Sequence, residues 1–269
     1  MIVFISPKPH LINQLDIMLT IEQIRRSLRE EDLRALKSLG QNFLIDEKAL
    51  SDIVEAAELS EEDIALEVGP GMGALTFALA DRCRKVAAIE KDRKMSKYLR
   101  GEVAKKYGEK ANIEIVNDDI LLVNLPEFLA SRGISRYKVV ANIPYYITSP
   151  IIRLFLETPA PPREMVLLVQ KEVAERICAP KGDMSILALS VILFGEPEIV
   201  RLVGKDSFYP APKVDSAVVR LTPYPSPLVP VREEAMLFRV IRGAFSQRRK
   251  TLLNGLSAAL ELPRRVSRP

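Results

Sequence analysis

Short apolar runs alternate with longer amphipathic stretches along most of the chain. A continuous apolar run of a few residues is typical of a buried strand, whereas apolar spacing of three and four is typical of a helix. Such runs occupy residues 64–68, 86–89, 112–116, 137–141 and 165–169. Helical spacing lies between them, near residues 74–82, 92–106, 125–131, 148–157 and 171–178. This alternation predicts an α/β fold, a mostly parallel sheet with helices on both faces.

The remaining stretches predict elements that flank this pattern. Residues 20–37 are charged and predict a helical arm, and apolar spacing predicts a helix from Ile45 to Leu59. A helix near 184–194 leads to two strand-like runs, 197–203 and 216–221, which are close enough in sequence to pair antiparallel.

A proline-rich stretch at residues 222–227 predicts a domain boundary. Two helices are expected beyond it, over 232–246 and 248–260. We therefore expect three parts, which are an N-terminal arm over 1–37, a Rossmann-like domain over 38–223 and a small helical domain over 224–269.

Composition excludes several functional classes. The 269 residues have ordinary globular composition, with no apolar run of about 18 residues that would span a membrane. Cys83 and Cys178 are far apart and fit no metal or redox spacing, so we expect reduced thiols and a cytoplasmic protein. The one histidine, His10, lies in the N-terminal lead. We therefore expect no histidine base, no Ser-His-Asp triad and no zinc site built on imidazole.

Charge is unevenly distributed along the chain. Residues 201–269 contain 13 Lys and Arg against 5 Asp and Glu, whereas residues 1–200 carry a net charge of −4. A basic tail piece on an acidic body predicts a polyanionic partner.

Each of the first four predicted strands ends in glycine or polar residues. Gly69, Gly71 and Gly73 follow the first strand, and Glu90 ends the second, 21 positions after Gly69. Ligands of open α/β sheets bind at the carboxyl ends of strands, where glycines allow close approach and an acidic residue accepts hydrogen bonds from ribose. The other two strands end in Asn117-Asp118-Asp119 and in Asn142. Together these ends predict a site for a nucleoside-type cofactor.

Two cofactors fit this site. Gly69, Gly71 and Ala74 satisfy the relaxed dinucleotide pattern, so an NAD oxidoreductase is one hypothesis. S-adenosylmethionine needs a similar grip on adenosine but no pyrophosphate cradle. Asp119, or Asp118 as an alternative, is placed for its adenine amine, and Glu90 for its ribose.

The fourth strand favours methyl transfer. It runs directly into Asn142-Ile143-Pro144-Tyr145, which is poor turn chemistry. A site that accepts both hydrogens of an adenine amine turns the nitrogen lone pair towards a methyl donor. Asn142 supplies one acceptor, and Pro144 restrains Ile143 so that its carbonyl can supply the second. Tyr145 offers a face on which the base stacks.

These residues resemble the rRNA adenine N6,N6-dimethyltransferases of the KsgA/RsmA type. The resemblance runs from about Ser38 to Leu260. It rests on motifs at 38–46 (SLGQNFLID), 67–76 (EVGPGMGALT), 142–147 (NIPYYI), 208–218 (FYPAPKVDSAV) and 245–252 (FSQRRKTL).

The resemblance implies an S-adenosylmethionine-dependent enzyme that dimethylates two adjacent adenines in the 3′-terminal hairpin of small-subunit rRNA. It implies that Asn42 and Leu44 contact the cofactor and that Phe208 lies against the flipped adenine. Arg248, Arg249 and Lys250 are expected to contact RNA. We expect a monomer whose partner is the assembling small ribosomal subunit.

Other functions stay open at this point. A relative of the same fold methylates large-subunit rRNA and gives antibiotic resistance, and a non-catalytic assembly factor could keep the fold. The chain also departs from the family. Residues 1–17, which precede Met18, are unusual for the family, so Met18 is a candidate start. Members of the family usually have about one more helix after the position of Pro269. We therefore expect an incomplete helical domain, which affects RNA affinity more than cofactor binding.

Overall fold

The computed structural model describes residues 18–33, 41–108, 111–226, 228, 231–245 and 252–261. The strands are β1 Phe43–Leu44, β2 Ile64–Val68, β3 Lys85–Glu90, β4 Ile113–Asn117, β5 Lys138–Asn142, β6 Met165–Gln170, β7 Gly195–Val203, β8 Phe208–Tyr209 and β9 Ser216–Pro223. The helices are α1 Ile21–Glu30, α2 Glu47–Ala56, α3 Ala74–Ala80, α4 Arg93–Tyr107, α5 Leu125–Ala130, α6 Thr148–Leu156, α7 Lys171–Ile177, α8 Ile186–Ile192, α9 Val231–Phe245 and α10 Leu252–Leu260.

Seven of the strands form one sheet in the order β4-β3-β2-β5-β6-β9-β7. The strands from β4 to β6 pair in parallel, whereas β9 pairs antiparallel with both β6 and β7. This arrangement confirms the predicted Rossmann-like α/β fold and the predicted antiparallel pair. The parallel strands bring the carboxyl ends of β2, β3, β4 and β5 to one edge of the sheet, which we call the carboxyl edge.

Apolar side chains cover both faces of the sheet. Strand β2 is buried along its whole length, as a strand with helices on both faces must be. One core cluster packs α5, α6 and α7 against the sheet, and Phe155 lies at its centre with no exposed surface. The other packs α2, α3 and α4 on the opposite face around Leu79 and Leu99.

Strands β1 and β8 form a separate antiparallel pair that the apolar pattern does not predict. Phe43 pairs with Tyr209 and Leu44 with Phe208. The pairing is extended by the Ile45 N–H, which donates to the Ser207 carbonyl at 2.8 Å. A stretch near residue 43 is thereby fixed to one near residue 208.

Helix α1 packs against the turn of residues 69–73, which we call the glycine turn. Thr20 begins the helix in a capping box with Gln23. Ile24 is 1% exposed and shares an apolar cluster with Met72 of the glycine turn. A salt bridge of 2.6 Å between Lys94 and Asp32 ties the end of α1 to α4. The predicted arm therefore contains a helix that covers the carboxyl edge.

Helices α9 and α10 follow the proline-rich stretch. The Tyr224 N–H donates to the Phe194 carbonyl at 2.8 Å, which holds the start of this stretch on the end of α8. Phe238 and Ile241 of α9 are buried in the same core cluster as α6. The expected domain boundary at residue 223 stays a prediction. Within the described ranges, no helix has the length and apolar character needed to cross a membrane.

The glycine turn gives a prediction about stability. Gly73 has φ of +93°, and a methyl group added there would overlap Leu99 Cδ1 and Phe77 Cε2. Because both the backbone strain and the overlap oppose a side chain, Gly73→Ala should lower the free energy of unfolding by roughly 2–4 kcal/mol. Urea denaturation measures this change.

A matched control is Gly101→Ala in α4, where an added methyl group meets no atom within 4 Å. This change should stabilise the protein by up to about 1 kcal/mol, because alanine is the better helix former. Equal stability of the two variants would contradict the packing described for the glycine turn.

Candidate active site

A cleft of about 1280 Å³, part of it open to solvent, lies at the carboxyl edge. Its walls come from the ends of β2, β3, β4 and β5, from the segment around β1 and from the start of α1. The structure thus brings together most of the residues that the sequence predicts for the site. The predicted residues that line the cleft are Asn42, Leu44, Gly69, Gly71, Glu90, Asp119, Asn142, Ile143, Pro144 and Tyr145.

Glu90 holds the glycine turn in place. The Gly71 N–H donates to Glu90 Oε2 at 3.2 Å, and the Asp92 N–H donates to Oε1 at 2.8 Å. The side chain is 5% exposed, and this burial raises the pKa of the carboxyl above its ordinary value. Each carboxylate oxygen has a second acceptor position. Glu90 can therefore accept hydrogen bonds from a ribose while it supports the backbone of the turn.

Glu67 is a second buried acid in the wall of the cleft, and its place inside an apolar strand gave no sign in the sequence that it is a site residue. It is 1% exposed and lies in β2, directly before Val68. Burial raises the pKa of Glu67 to about 8, and the negative charge of Glu90 adds to the rise. Glu67 is therefore mostly protonated at neutral pH. Its Oε2 has no hydrogen-bond partner among the described residues.

Asp119 pairs with a lysine that sequence reasoning missed. Lys91 Nζ lies 2.8 Å from Asp119 Oδ2, and the hydrogen bond from Lys91 lowers the pKa of the Asp119 carboxyl. The Leu121 N–H donates to the other oxygen at 3.1 Å. Asp118 and Lys91 also line the cleft, so both acids remain candidates for the adenine amine.

Asn142 ends β5 with its carboxamide in a fixed orientation. Its Nδ2 donates to the backbone carbonyl of Asn42 at 3.1 Å, and this bond fixes which end of the amide carries the acceptor. Oδ1 is left as an acceptor at the cleft. Next along the chain, the Ile143 N–H donates to the Leu168 carbonyl at 3.2 Å, which keeps this residue on the sheet. Pro144 follows with φ of −55°, as its ring requires.

Tyr145 begins a short 3-10 turn, Tyr145–Ile147, and is half-buried in the cleft wall. Its hydroxyl lies 2.7 Å from Ser216 Oγ, and its carbonyl accepts a hydrogen bond of 3.1 Å from Thr148 Oγ1. Tyr146 also lines the cleft and is exposed. The turn therefore presents one anchored ring and one exposed ring at the site.

Phe208 lies apart from the cleft wall. Its ring is 3% exposed and packs in the core cluster that contains Leu44 and Val218. The neighbouring Tyr209 contacts α1 instead, because Arg25 Nε donates to its hydroxyl at 2.9 Å and the guanidinium lies 5.1 Å from the ring centre. The sequence places an aromatic pair here but does not say which ring faces inward.

Two groups of predicted residues lie outside the described residues. They are Ser38, Leu39 and Gly40 at the start of the first motif, and Arg248, Arg249 and Lys250.

The described residues fit S-adenosylmethionine. Gly69 and Gly71 have φ of +67° and +55°, a conformation that favours glycine. Because neither residue has a side chain, a ligand in the cleft can approach the backbone closely. A methyl group on Gly71 would touch Phe43 at 3.4 Å. Glu90 offers the acceptors that a ribose diol needs, and the Asp119 carboxylate suits an adenine amine.

The fold and the cleft together define a Rossmann-like methyltransferase. Comparison with known proteins then gives its family. The family model for ribosomal RNA adenine dimethylase matches residues 33–265. The chain belongs to this family, as its motifs predict.

Individual relatives support the same assignment. The chain is 40% identical over 249 residues to the ribosomal RNA small subunit methyltransferase A of Alkaliphilus metalliredigens, which covers 91% of this chain and 85% of that protein. Among solved structures it resembles the 23S rRNA methyltransferase ErmE, with a TM-score of 0.67 and 33% identity over 81% of this chain and 84% of that one. A dimethyladenosine transferase from Plasmodium falciparum gives a TM-score of 0.67 with 31% identity, over 82% of this chain and 77% of that one.

The position of Glu90 gives a prediction about cofactor binding. Glu90→Ala removes the ribose acceptors and also frees the Gly71 and Asp92 N–H groups. We expect the free energy of S-adenosylmethionine binding to weaken by roughly 1.5–3 kcal/mol, which is the range for hydrogen bonds to a charged group. Isothermal titration calorimetry measures the change.

Glu102→Ala is the control, because Glu102 pairs with Lys105 on α4 rather than with the glycine turn. It should leave the dissociation constant unchanged. Tight binding of NAD to the wild type, with no binding of S-adenosylmethionine, would contradict the cofactor assignment.

Proposed function

We propose that this protein transfers methyl groups from S-adenosylmethionine to the exocyclic amines of two adjacent adenines. The adenines lie in the 3′-terminal hairpin loop of small-subunit rRNA, and the product is N6,N6-dimethyladenosine. The observation that carries the proposal is the hydrogen bond from Asn142 Nδ2 to the Asn42 carbonyl. This bond leaves Oδ1 as the acceptor that an adenine amine requires.

The reaction needs the amine nitrogen to present its lone pair. In adenine this lone pair is delocalised into the ring, so the free amine is a weak nucleophile. Asn142 Oδ1 and the Ile143 carbonyl accept the two amine hydrogens and draw the nitrogen towards tetrahedral geometry. Tyr145 supports the ring of the base by stacking. The bound cofactor supplies an electrophilic methyl group on its sulfonium.

The cofactor-binding residues come from four parts of the chain. Asn42 precedes β1 and Leu44 ends it, Gly69 and Gly71 lie in the glycine turn, and Glu90 and Asp119 lie at the ends of β3 and β4. Glu90 would hold the ribose and Asp119 the adenine amine. Lys91 keeps Asp119 ionised, since its hydrogen bond lowers the pKa of that carboxyl.

The site works by position rather than by a titrating base. Transfer of the methyl group makes the attacking nitrogen cationic, and its proton is then acidic enough to leave to water. The described residues that line the cleft include no histidine. Catalysis therefore depends on orientation and on fixed hydrogen-bond acceptors.

The choice of target rests on sequence relatives and on charge. The Alkaliphilus metalliredigens protein, 40% identical, is named for the small subunit, whereas ErmE is a 23S rRNA methyltransferase. The basic region 201–269, with Arg248, Arg249 and Lys250, suits an RNA partner. Asn142, Pro144 and Tyr145 are all present at the cleft, which favours an enzyme over a non-catalytic assembly factor.

We further propose that the protein acts as a monomer in the cytoplasm. Cys83 and Cys178 are far apart in sequence and fit no metal or redox spacing, which suits a reducing compartment.

The expected contact between Phe208 and the target adenine stays a prediction. Because the ring is 3% exposed, a base reaches it only if the segment around β8 moves. Tyr145 and Tyr146 are aromatic residues at the cleft that need no such movement.

The role of Asn142 is tested by Asn142→Ala. Turnover should fall by orders of magnitude while the dissociation constant of S-adenosylmethionine changes by no more than a few-fold, because the lost acceptor acts on the transition state. Single-turnover kinetics and calorimetry on the same variant measure the two effects.

Asn124→Ala serves as the control for Asn142→Ala. Asn124 caps α5 through the Glu127 N–H, so its loss should lower stability by about 1 kcal/mol and leave turnover intact. If Asn142→Ala keeps its turnover but no longer binds the cofactor, Asn142 is a binding residue and the mechanism is wrong.

The basic residues give a prediction about salt dependence. Replacing Arg248, Arg249 and Lys250 with Gln should change the slope of log affinity against log salt concentration. The slope should become shallower by roughly two to three. Affinity should fall alike for rRNA and unrelated RNA, because phosphate contacts carry little sequence information. Filter binding across a salt series measures both effects.

A matched triple variant replaces Arg82, Arg84 and Lys105 with Gln. Arg82 and Arg84 precede β3 and so lie at the opposite edge of the sheet from the cleft. This variant should keep the wild-type slope. An unchanged slope in the 248–250 variant would show that RNA binds elsewhere.

A further inference from the structure

Ser216 is a buried hydroxyl that the proposed chemistry has not used. It begins β9, and none of its surface is exposed. Its Oγ lies 2.7 Å from the hydroxyl of Tyr145, 71 positions earlier in the chain. Ser216 does not line the cleft, whereas Tyr145 does. The hydrogen bond therefore joins a residue outside the cleft to a residue of the cleft wall.

The sheet fixes the position of Ser216 from two sides. It pairs with Gln170 of β6 on one side and with Val203 of β7 on the other. The preceding residue is also held, because the Lys171 N–H donates to the Asp215 carbonyl at 3.0 Å. Ser216 Oγ is therefore a rigid anchor point rather than a group on a loose loop.

Tyr145 needs such an anchor. The residue lies on a 3-10 turn and is only half-buried, so packing restrains only part of its ring. The backbone end of the residue is held by Thr148 Oγ1, and the hydroxyl at the far end is held by Ser216. A ring fixed at both ends has one plane, and stacking on a base depends on that plane.

We propose that Ser216 is a positioning residue that fixes the ring of Tyr145 for stacking on the target adenine. This inference rests on the proposed function, because it needs an adenine beside Tyr145. Ser216 touches neither substrate nor cofactor and takes no part in proton transfer. Burial raises the pKa of Tyr145, so the phenol also stays neutral at physiological pH.

The same bond connects two motifs of the site. Ser216 ends the segment 204–216, which contains β8, and Tyr145 follows the end of β5. The segment is braced within itself, because the Lys205 N–H donates to Asp215 Oδ1 at 3.0 Å. The hydrogen bond thus ties the orientation of the Tyr145 ring to the placement of this segment.

The test is a double-mutant cycle with Ser216→Ala, Tyr145→Phe and the double variant. Each single change removes the same hydrogen bond and keeps the ring, so each should lower kcat on under-methylated small subunits by roughly three- to tenfold. The double variant should be no slower than the slower single variant, because the bond is lost only once. The dissociation constant of S-adenosylmethionine should stay unchanged in all three.

Ser190→Ala is the matched control. Ser190 is also buried, and its hydroxyl donates to the Ile186 carbonyl at 2.9 Å within α8. It should change the melting temperature about as much as Ser216→Ala does and leave kcat intact. Tyr145→Phe keeps the test available if Ser216→Ala folds poorly, since this ring is only half-buried.

Two outcomes would overturn the inference separately from the proposed function. An active wild type whose two single effects on kcat multiply in the double variant would show that Ser216 and Tyr145 act independently. A Ser216→Ala variant with a lower melting temperature and wild-type kcat would show a purely structural role. A wild type that methylates no adenine of the small subunit would instead refute the proposed function, and this inference with it.

Discussion

The site depends on hydrogen bonds that hold three distant segments together at the carboxyl edge. The segment around β1 supplies the Asn42 carbonyl that orients the Asn142 amide. The same segment pairs with β8 and accepts a hydrogen bond of 2.7 Å from Ser207 Oγ at Asp46 Oδ2. The segment that contains β8 ends in Ser216, which anchors Tyr145. Asn142 is therefore placed by a residue 100 positions away in sequence, and Tyr145 by a residue 71 positions away.

The acidic side chains at the same edge leave little uncompensated negative charge in the cleft. Glu67 is buried with a pKa of about 8, so it adds little negative charge beside the Glu90 carboxylate at neutral pH. Asp119 keeps its charge because Lys91 lies 2.8 Å away. The wall thus offers a few placed acceptors in an otherwise apolar cleft, which is how a pre-formed site holds an adenosine group.

Much of the fold and of the site could be predicted from the sequence because both follow from strands. Apolar runs such as 64–68 and 137–141 fix the buried strands, and polar residues at their ends mark the carboxyl edge. Strands of two residues have no periodicity, so β1 and β8 were not predicted. The burial of Phe208 and the contact of Ser216 with Tyr145 depend on how segment 204–216 packs. No local pattern encodes that packing, and residues 248–250 lie outside the described residues.

The proposed function requires that this cleft direct methyl transfer to adenine amines of small-subunit rRNA. The most direct measurement incubates the protein and labelled S-adenosylmethionine with under-methylated small subunits and, separately, with large subunits, and then maps the label. We expect N6,N6-dimethyladenosine at two adjacent adenines of the 3′-terminal hairpin of the small subunit, with none in the large subunit. Label on a large-subunit adenine, or at another atom of the small-subunit rRNA, would contradict it.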